Sequence, residues 1–423
     1  MGLKGFTGIL LALLLVLLPG GCRQDVPPTS RTGAPVIRVK LLQGQDQILL
    51  GASNTTTIRA GGVERRLNFP TDNDVPVTLT AQGWQIGNFE LGAGGELVVE
   101  PGSVGSVRVN KMRYRGQYRL VPLAAAGAEA KRPARSPQTL KFDVYNDVDV
   151  ESYLKGVLAK ELPNSWDAEA FKAQAIAART YAIYEMRTAG ATRDWDVYDD
   201  TRSQVYGGID GETDKSRAAS DQTAGIVAAH GPRGRERIFK AYFSSCCGGI
   251  GQSAADALGD ADIPPLAEKY VGGLCNASKH FNWDAPVVLR RDELTRRIRA
   301  WGARRNRPEK NMATLAKLEV AQVNRYNRPV RFVITDVGGA RYSLNSEETR
   351  WACNADAGSG PTLRSSFFKP VIESDVVRFA EGHGFGHGVG LCQWCTQSLA
   401  LGGMAHEDIV RHAYPGAVLV RAY

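Results

Sequence analysis

Short runs of alternating apolar and polar residues open the main body of the chain. Ile37-Arg38-Val39-Lys40-Leu41, Gln47-Ile48-Leu49-Leu50 and Val107-Arg108-Val109 are examples, with Gly and Asn between them. A period of two turns one face of a strand inward and the other toward water. Residues 36–123 therefore predict a small β-rich N-terminal domain. At Asp149 the period changes. Val150, Tyr153, Leu154, Val157 and Leu158 stand at i, i+3, i+4, i+7 and i+8, one face of a helix. Asp149 suits its N-cap, and Pro163 stops it just after Glu161-Leu162. A second helix comes next, with Asn164 or Ser165 as its expected cap, Asp167 and Glu169 in its positive first turn, and Gly190 at its close. Past Asp194, glycine-bearing turns at 204–208, 242–249 and 382–388 are succeeded by two short helices over 391–401 and 405–413. The predicted fold class is α+β, a largely antiparallel β framework with inserted helices. An Ala/Pro/Arg-rich interruption at 124–138 separates the expected N-terminal domain from a second one at 139–423.

The first residues carry a different pattern. Lys4 precedes an unbroken apolar run over 9–18, and Pro19-Gly20-Gly21-Cys22 comes after it. The run is too short to span a bilayer comfortably and is expected to be an export signal over 1–22. Cys22 after two glycines matches a bacterial lipoprotein cleavage site, although Pro19 stands where Leu is usual. Lipidation at Cys22, a tether over 23–35 and residence in the cell envelope are the corresponding expectations, with plain secretion as the alternative.

An exported chain changes how its cysteines are read. Cys246, Cys247, Cys275, Cys353, Cys392 and Cys395 form an even set, for which disulfides are the first expectation outside the cytoplasm. Cys392-Gln393-Trp394-Cys395 also has the spacing of two metal ligands or a redox pair, but no second CxxC accompanies it. A thiol oxidoreductase would need a thioredoxin-like βαβ setting, which the pattern lacks. Charge adds little: 52 Lys+Arg against 44 Asp+Glu gives +8 in 423 residues. The surplus favours anionic wall polymers or membrane surfaces. It is densest over 290–310, where no aromatic ladder or nucleic-acid motif occurs, so nucleic acid is not an expected partner.

Three segments together resemble the SpoIID/LytB family. They are Asp149-Val-Glu-Ser-Tyr-Leu-Lys-Gly-Val-Leu-Ala-Lys-Glu-Leu-Pro163, Glu169-Ala-Phe-Lys-Ala-Gln-Ala-Ile-Ala-Ala-Arg-Thr-Tyr181, and Gly382-His-Gly-Phe-Gly-His-Gly-Val-Gly-Leu-Cys-Gln-Trp394 with Tyr414-Pro-Gly416 beyond it. Residues 243–249 resemble that family's Ser-x-Cys-Gly-Gly turn, and Leu363-Arg364-Ser365 its Leu-Arg-Ser segment. The order holds from about residue 113 to 423, and more loosely from 36. The resemblance implies a lytic transglycosylase that cuts peptidoglycan between N-acetylmuramic acid and N-acetylglucosamine, leaving 1,6-anhydro ends. It equally allows a non-catalytic enhancer of a cell-wall amidase.

Ordinary glycosidases use two carboxyl groups. A lytic transglycosylase can use one, which protonates the leaving oxygen and then deprotonates the sugar's own 6-hydroxyl. Glu161 matches the family's catalytic glutamate. Its place in the last turn of a helix disfavours the carboxylate by about 0.3–1 kcal/mol, and burial in a cleft would have to supply the rest. Glu169 is the runner-up, but the first turn of a helix favours its charged form. The resemblance further implies substrate contacts from Gln174, Ser245, His383, His387 and Gln393, with His387 and Gln393 also able to orient Glu161. Arg179 reads as a structural ion-pair partner. Trp166 and Trp394 can stack on sugar rings or lie in the core. His383 and His387 have the i, i+4 spacing of helical metal ligands, but four interleaved glycines argue against a helix. Family members can carry zinc through Cys and His. Here Cys392 and Cys395 replace the usual Ser and Gly, and no cofactor is expected, a structural zinc being the lesser alternative to disulfides. The expected partners are peptidoglycan glycan strands, the membrane through the lipid on Cys22, and a cell-wall amidase.

Overall fold

The computed structural model describes residues 33–69, 73–92, 94–102, 105–123, 139–189 and 193–423. The export signal, Cys22 and most of the tether lie outside these residues. The fold is α+β, as the sequence pattern predicts, with strands paired mostly antiparallel. Its helices are α1 (Val150–Glu161), α2 (Ala168–Ala189), α3 (Asp214–Gln222), α4 (Ala254–Leu258), α5 (Arg291–Arg304), α6 (Ser346–Asn354), α7 (Gln393–Leu401) and α8 (His406–Ala413). None of the helices among the described residues is long and apolar enough to cross a membrane.

The strand Val36–Gln45 buries Ile37, Val39 and Leu41, the alternation expected of a half-buried strand. It pairs with Phe142–Asp149, which pairs on its other side with Gln117–Pro122. A strand from beyond the 124–138 interruption thus lies between two strands from before it. Strands on both sides of that interruption share one seven-stranded sheet and one apolar core. That core joins Ile48, Leu50, Val77 and Trp84 to Tyr153, Leu154 and Val157 of α1. The expected boundary is a break in sequence pattern, across which packing continues.

Phe142–Asp149 runs directly into α1. Asp149 caps that helix by accepting from the Ser152 N–H at 2.9 Å. The second helix starts later than its sequence signals suggest. Asp167, rather than Asn164 or Ser165, accepts from the Glu169 N–H at 2.8 Å and α2 begins at Ala168. Pro163 delays the restart, since the backbone needs several residues to turn after it. Alanines let α2 sit between two cores. Ala178 and Ala182 face the β-sheet core, whereas Ala170, Ala173 and Ala177 pack with Ile409, Val410 and Ala413 of α8. A third core, built from Trp283, Ile298, Trp301, Phe332, Phe368 and Phe379, organises α5, α6 and two three-stranded sheets. Around α5 the arginine surplus is largely neutralised: Arg296 and Arg297 pair with Glu293, Arg304 with Asp356, and Arg307 with Glu309 and Glu348.

Candidate active site

Glu161 ends α1 and is half-buried. Two donors reach its carboxyl group from distant parts of the chain. The Val205 N–H donates to Oε1 at 3.2 Å, and the Gln393 side-chain amide donates to Oε2, also at 3.2 Å. No cation pairs with it among the described residues. Burial raises its pKa, and the hydrogen bonds from Val205 and Gln393 oppose that rise without cancelling it. The balance leaves the pKa above the usual carboxylate value, with two donors in place to receive the carboxylate once it forms.

The Val205 contact depends on a close approach of backbone to helix. The Gly207 N–H donates to the Gly156 carbonyl of α1 at 3.2 Å. A Cβ on Gly156 would stand 2.7 Å from the Tyr206 ring and 2.8 Å from the Gly208 carbonyl oxygen, so only hydrogen fits there. Gln204 beside it is buried between the Tyr153 hydroxyl and the Ala178 carbonyl. Sequence reasoning does not find Val205. A backbone donor leaves no side-chain signature, and the glycines at 207 and 208 are the only hint of it.

Gln393 is the first residue of α7. The turn before it is fixed by glycines in left-handed conformations. At Gly390 (φ 69°) a Cβ would fall 2.1 Å from the Tyr242 carbonyl oxygen, and at Gly386 (φ 96°) 2.8 Å from Ser244 Cβ. The loop over 384–390 can therefore lie directly against residues 242–246. The Ser245 carbonyl accepts from the Trp394 N–H at 3.1 Å, which seats the start of α7. On the other side, Gln397 accepts from the Asp167 N–H at 3.0 Å, and Trp166 meets Trp394 edge-on with ring centroids 4.9 Å apart. The end of α1, the start of α2 and the start of α7 are thus knitted around one carboxyl group.

The other expected site residues are placed differently. Gln174 is fully buried on α2, with both amide atoms unpartnered among the described residues, so it lies inside rather than on a cleft wall. The fold uses the backbone carbonyl of half-buried Ser245. Among the described residues His387 makes no hydrogen bond to Glu161. Its Nδ1 accepts from the Val389 N–H at 2.9 Å, its ring lies against Tyr242, and burial lowers its pKa to about 4, so it is neutral. His383 ends the strand Val376–His383, packs against Phe367, and lines a groove with Leu318, Val323 and Glu381. The two histidines are in extended and loop backbone and do not form a metal pair. Glu169 is held as a carboxylate. Burial pushes its pKa up, but hydrogen bonds from Lys172 and His406 outweigh that and bring it to about 2. Arg179 is fully buried and grips both carboxylate oxygens of Glu151, at 2.9 and 2.6 Å.

Comparison with known proteins bears on this arrangement. Residues 138–230, which contain α1, α2 and the Val205 turn, match the family model for SpoIID, stage II sporulation protein. Over this stretch the chain is similar to the SpoIID/LytB family. Stage II sporulation protein D of Bacillus subtilis is 26% identical over 325 residues, covering 71% of this chain and 83% of that one. The amidase enhancer of Bacillus subtilis is 25% identical over 295 residues, 63% of this chain but only 40% of its own length. An uncharacterized protein of Brachyspira hyodysenteriae is 28% identical over 281 residues, 66% of this chain and 68% of that protein.

The cysteines are free among the described residues, so the expected disulfides are not formed. Cys247, Cys275, Cys392 and Cys395 are instead gathered in one buried cluster. Their side chains come from three separate segments of the chain, a proximity that no sequence spacing announces.

Proposed function

We propose that this chain is a peptidoglycan lytic transglycosylase in which Glu161 acts first as acid and then as base. Likeness to stage II sporulation protein D and to an amidase enhancer supports a role on the cell wall. The reading rests chiefly on one observation: Glu161 has its pKa raised by burial, lacks a cationic partner among the described residues and receives two neutral donors. In the first half-reaction its proton passes to the glycosidic oxygen, and the bond from that oxygen to C1 of N-acetylmuramic acid breaks. In the second, the resulting carboxylate takes the proton of the same sugar's 6-hydroxyl, whose oxygen closes on C1. The proton returns to Glu161 and no water is consumed. Val205 and Gln393 stabilise the carboxylate in the interval between the two transfers.

Digestion of purified, peptide-free glycan tests this. New 1,6-anhydro ends are expected from the protein and not from Glu161→Gln; equal turnover by that variant would remove Glu161 from the chemistry. The likeness to the amidase enhancer favours one second reading, a non-catalytic partner of a wall amidase. It predicts no anhydro ends from the chain alone, and stimulation of the amidase that survives Glu161→Gln. Anchoring at Cys22 belongs to the same proposal and is tested by labelling cells with an alkyne fatty acid, expected to mark the chain but not Cys22→Ala.

A further inference from the structure

The ligand atoms of Cys247, Cys275, Cys392 and Cys395 all lie within 4.8 Å of one another, and the Sγ atoms of Cys247 and Cys275 are 3.7 Å apart. A disulfide needs about 2.05 Å between sulfurs. Four thiolates at about 2.3 Å from a tetrahedral zinc stand roughly 3.7–3.8 Å from one another. The Cys247–Cys275 pair has that spacing, the four sulfurs together lie within 4.8 Å, and all four residues are buried.

Its surroundings suit bound thiolates. The Cys247 N–H donates to Cys392 Sγ at 3.3 Å, the kind of outer contact that steadies a metal-bound sulfur. Zinc with four thiolates carries two negative charges, which burial would penalise. Two cations face the cluster and offset them. The Arg328 guanidinium is buried and donates to the Cys247 carbonyl at 3.0 Å, and Lys269 donates to the Ala413 carbonyl beside Cys392 and Cys395. Cys246 is buried in the same cluster, its S–H directed to the Cys275 carbonyl at 3.9 Å, but its sulfur is not among the four that lie mutually close.

We propose that Cys247, Cys275, Cys392 and Cys395 bind one structural zinc ion. The ion would tie three chain segments together: the turn at 245–249, the short turn Gly272–Cys275, and the start of α7. Two of its ligands flank Gln393, so the metal fixes the residue that donates to Glu161. That last step rests on the transglycosylase reading; the metal site itself does not.

The test uses the full chain purified without a metal-affinity step. Elemental analysis should give about one zinc per chain, and denatured intact mass should show all cysteines reduced. Replacement by cobalt(II) should give the charge-transfer and d–d bands of a tetrahedral tetrathiolate. Cys275→Ser should lose at least nine-tenths of the metal, whereas Cys353→Ser, outside the cluster, keeps it. Should Cys275→Ser fail to fold, cobalt titration of the chelator-stripped wild-type chain decides the matter. Metal-free protein with the mass loss of two disulfides overturns the site, as does full zinc retention by a folded Cys275→Ser. Hydrogen exchange reads the positioning role. Chelation should speed exchange over 391–396 at least tenfold while leaving the strand Val36–Gln45 unchanged, and equal protection there removes the role. Metal count, mass and exchange are indifferent to glycan cleavage, so failure here is distinguishable from failure of the proposed activity.

Discussion

Gln393 donates its side-chain amide to Glu161 at 3.2 Å across 232 positions of sequence. The contact favours the carboxylate and so works against the burial that raises its pKa. Gln393→Leu should raise the pKa of Glu161 further and slow the step in which Glu161 gives its proton to the glycosidic oxygen. Losing a donor to a charged group is worth about 1.5–3 kcal/mol, roughly a 10- to 100-fold fall in turnover. The pH profile of anhydro-end formation should move to higher pH, an outcome that general loosening of the fold would not produce.

Glu161→Gln should abolish cleavage without destabilising the protein. A carboxyl whose pKa is raised on folding binds more protons in the native than in the unfolded chain. Its contribution is fully present below the unfolded value near about 4.3 and is lost as pH rises through the folded one. The variant escapes that loss. Thermal unfolding monitored by circular dichroism should show it at least as stable as wild type at pH 8, with the difference shrinking toward pH 4.

Arg179→Met should be costly in a different way. Burial alone would raise the pKa of Glu151, but Arg179, with Tyr423 and the Gly225 N–H, holds it below the usual carboxylate value. Wild type therefore loses this stability as pH falls through the lowered pKa. Without the guanidinium, Glu151 is left uncompensated, at a cost of about 3–5 kcal/mol near neutrality. Urea titrations should show the gap between variant and wild type narrowing from pH 7 to pH 4, where protonation relieves the stranded charge.

Gly156→Ala tests the approach of the Val205 turn to α1. The added methyl would press on Tyr206 and the Gly208 carbonyl, and overpacking of this kind costs about 1–3 kcal/mol. Alanine otherwise suits a helix interior better than glycine, which returns up to about 1 kcal/mol. The net change in stability should be small, whereas cleavage should fall about tenfold or more because the Val205 N–H is displaced. Activity and melting temperature measured on one preparation would separate the two effects.

The local parts of this site are open to sequence reading. The 3.6 period over 150–158, Asp149 as cap and Pro163 as stop put Glu161 in the last turn of a helix, where the structure has it. Contacts made across the chain leave no comparable trace. Resemblance alone points to Gln393 as a substrate contact, and its partner is set by how α7 docks on α1. The histidines mislead for the same reason: their spacing suggests shared chemistry, but the glycines between them turn His387 toward Tyr242 and His383 toward Phe367. CxxC at 392–395 is visible in the sequence, whereas Cys247 and Cys275 join it only through folding.

The position of Phe142–Asp149 has a practical consequence for dissecting this molecule. Bonded on both flanks by strands that precede residue 123, it is an interior strand of the sheet and the direct lead into the helix that ends at Glu161. A fragment begun at residue 139 would bare both of its edges and strip the apolar face beneath α1, inviting strand-to-strand aggregation. Excision at the apparent linker would therefore remove a brace from the acid itself, and a silent fragment would say nothing about whether the intact chain is an enzyme.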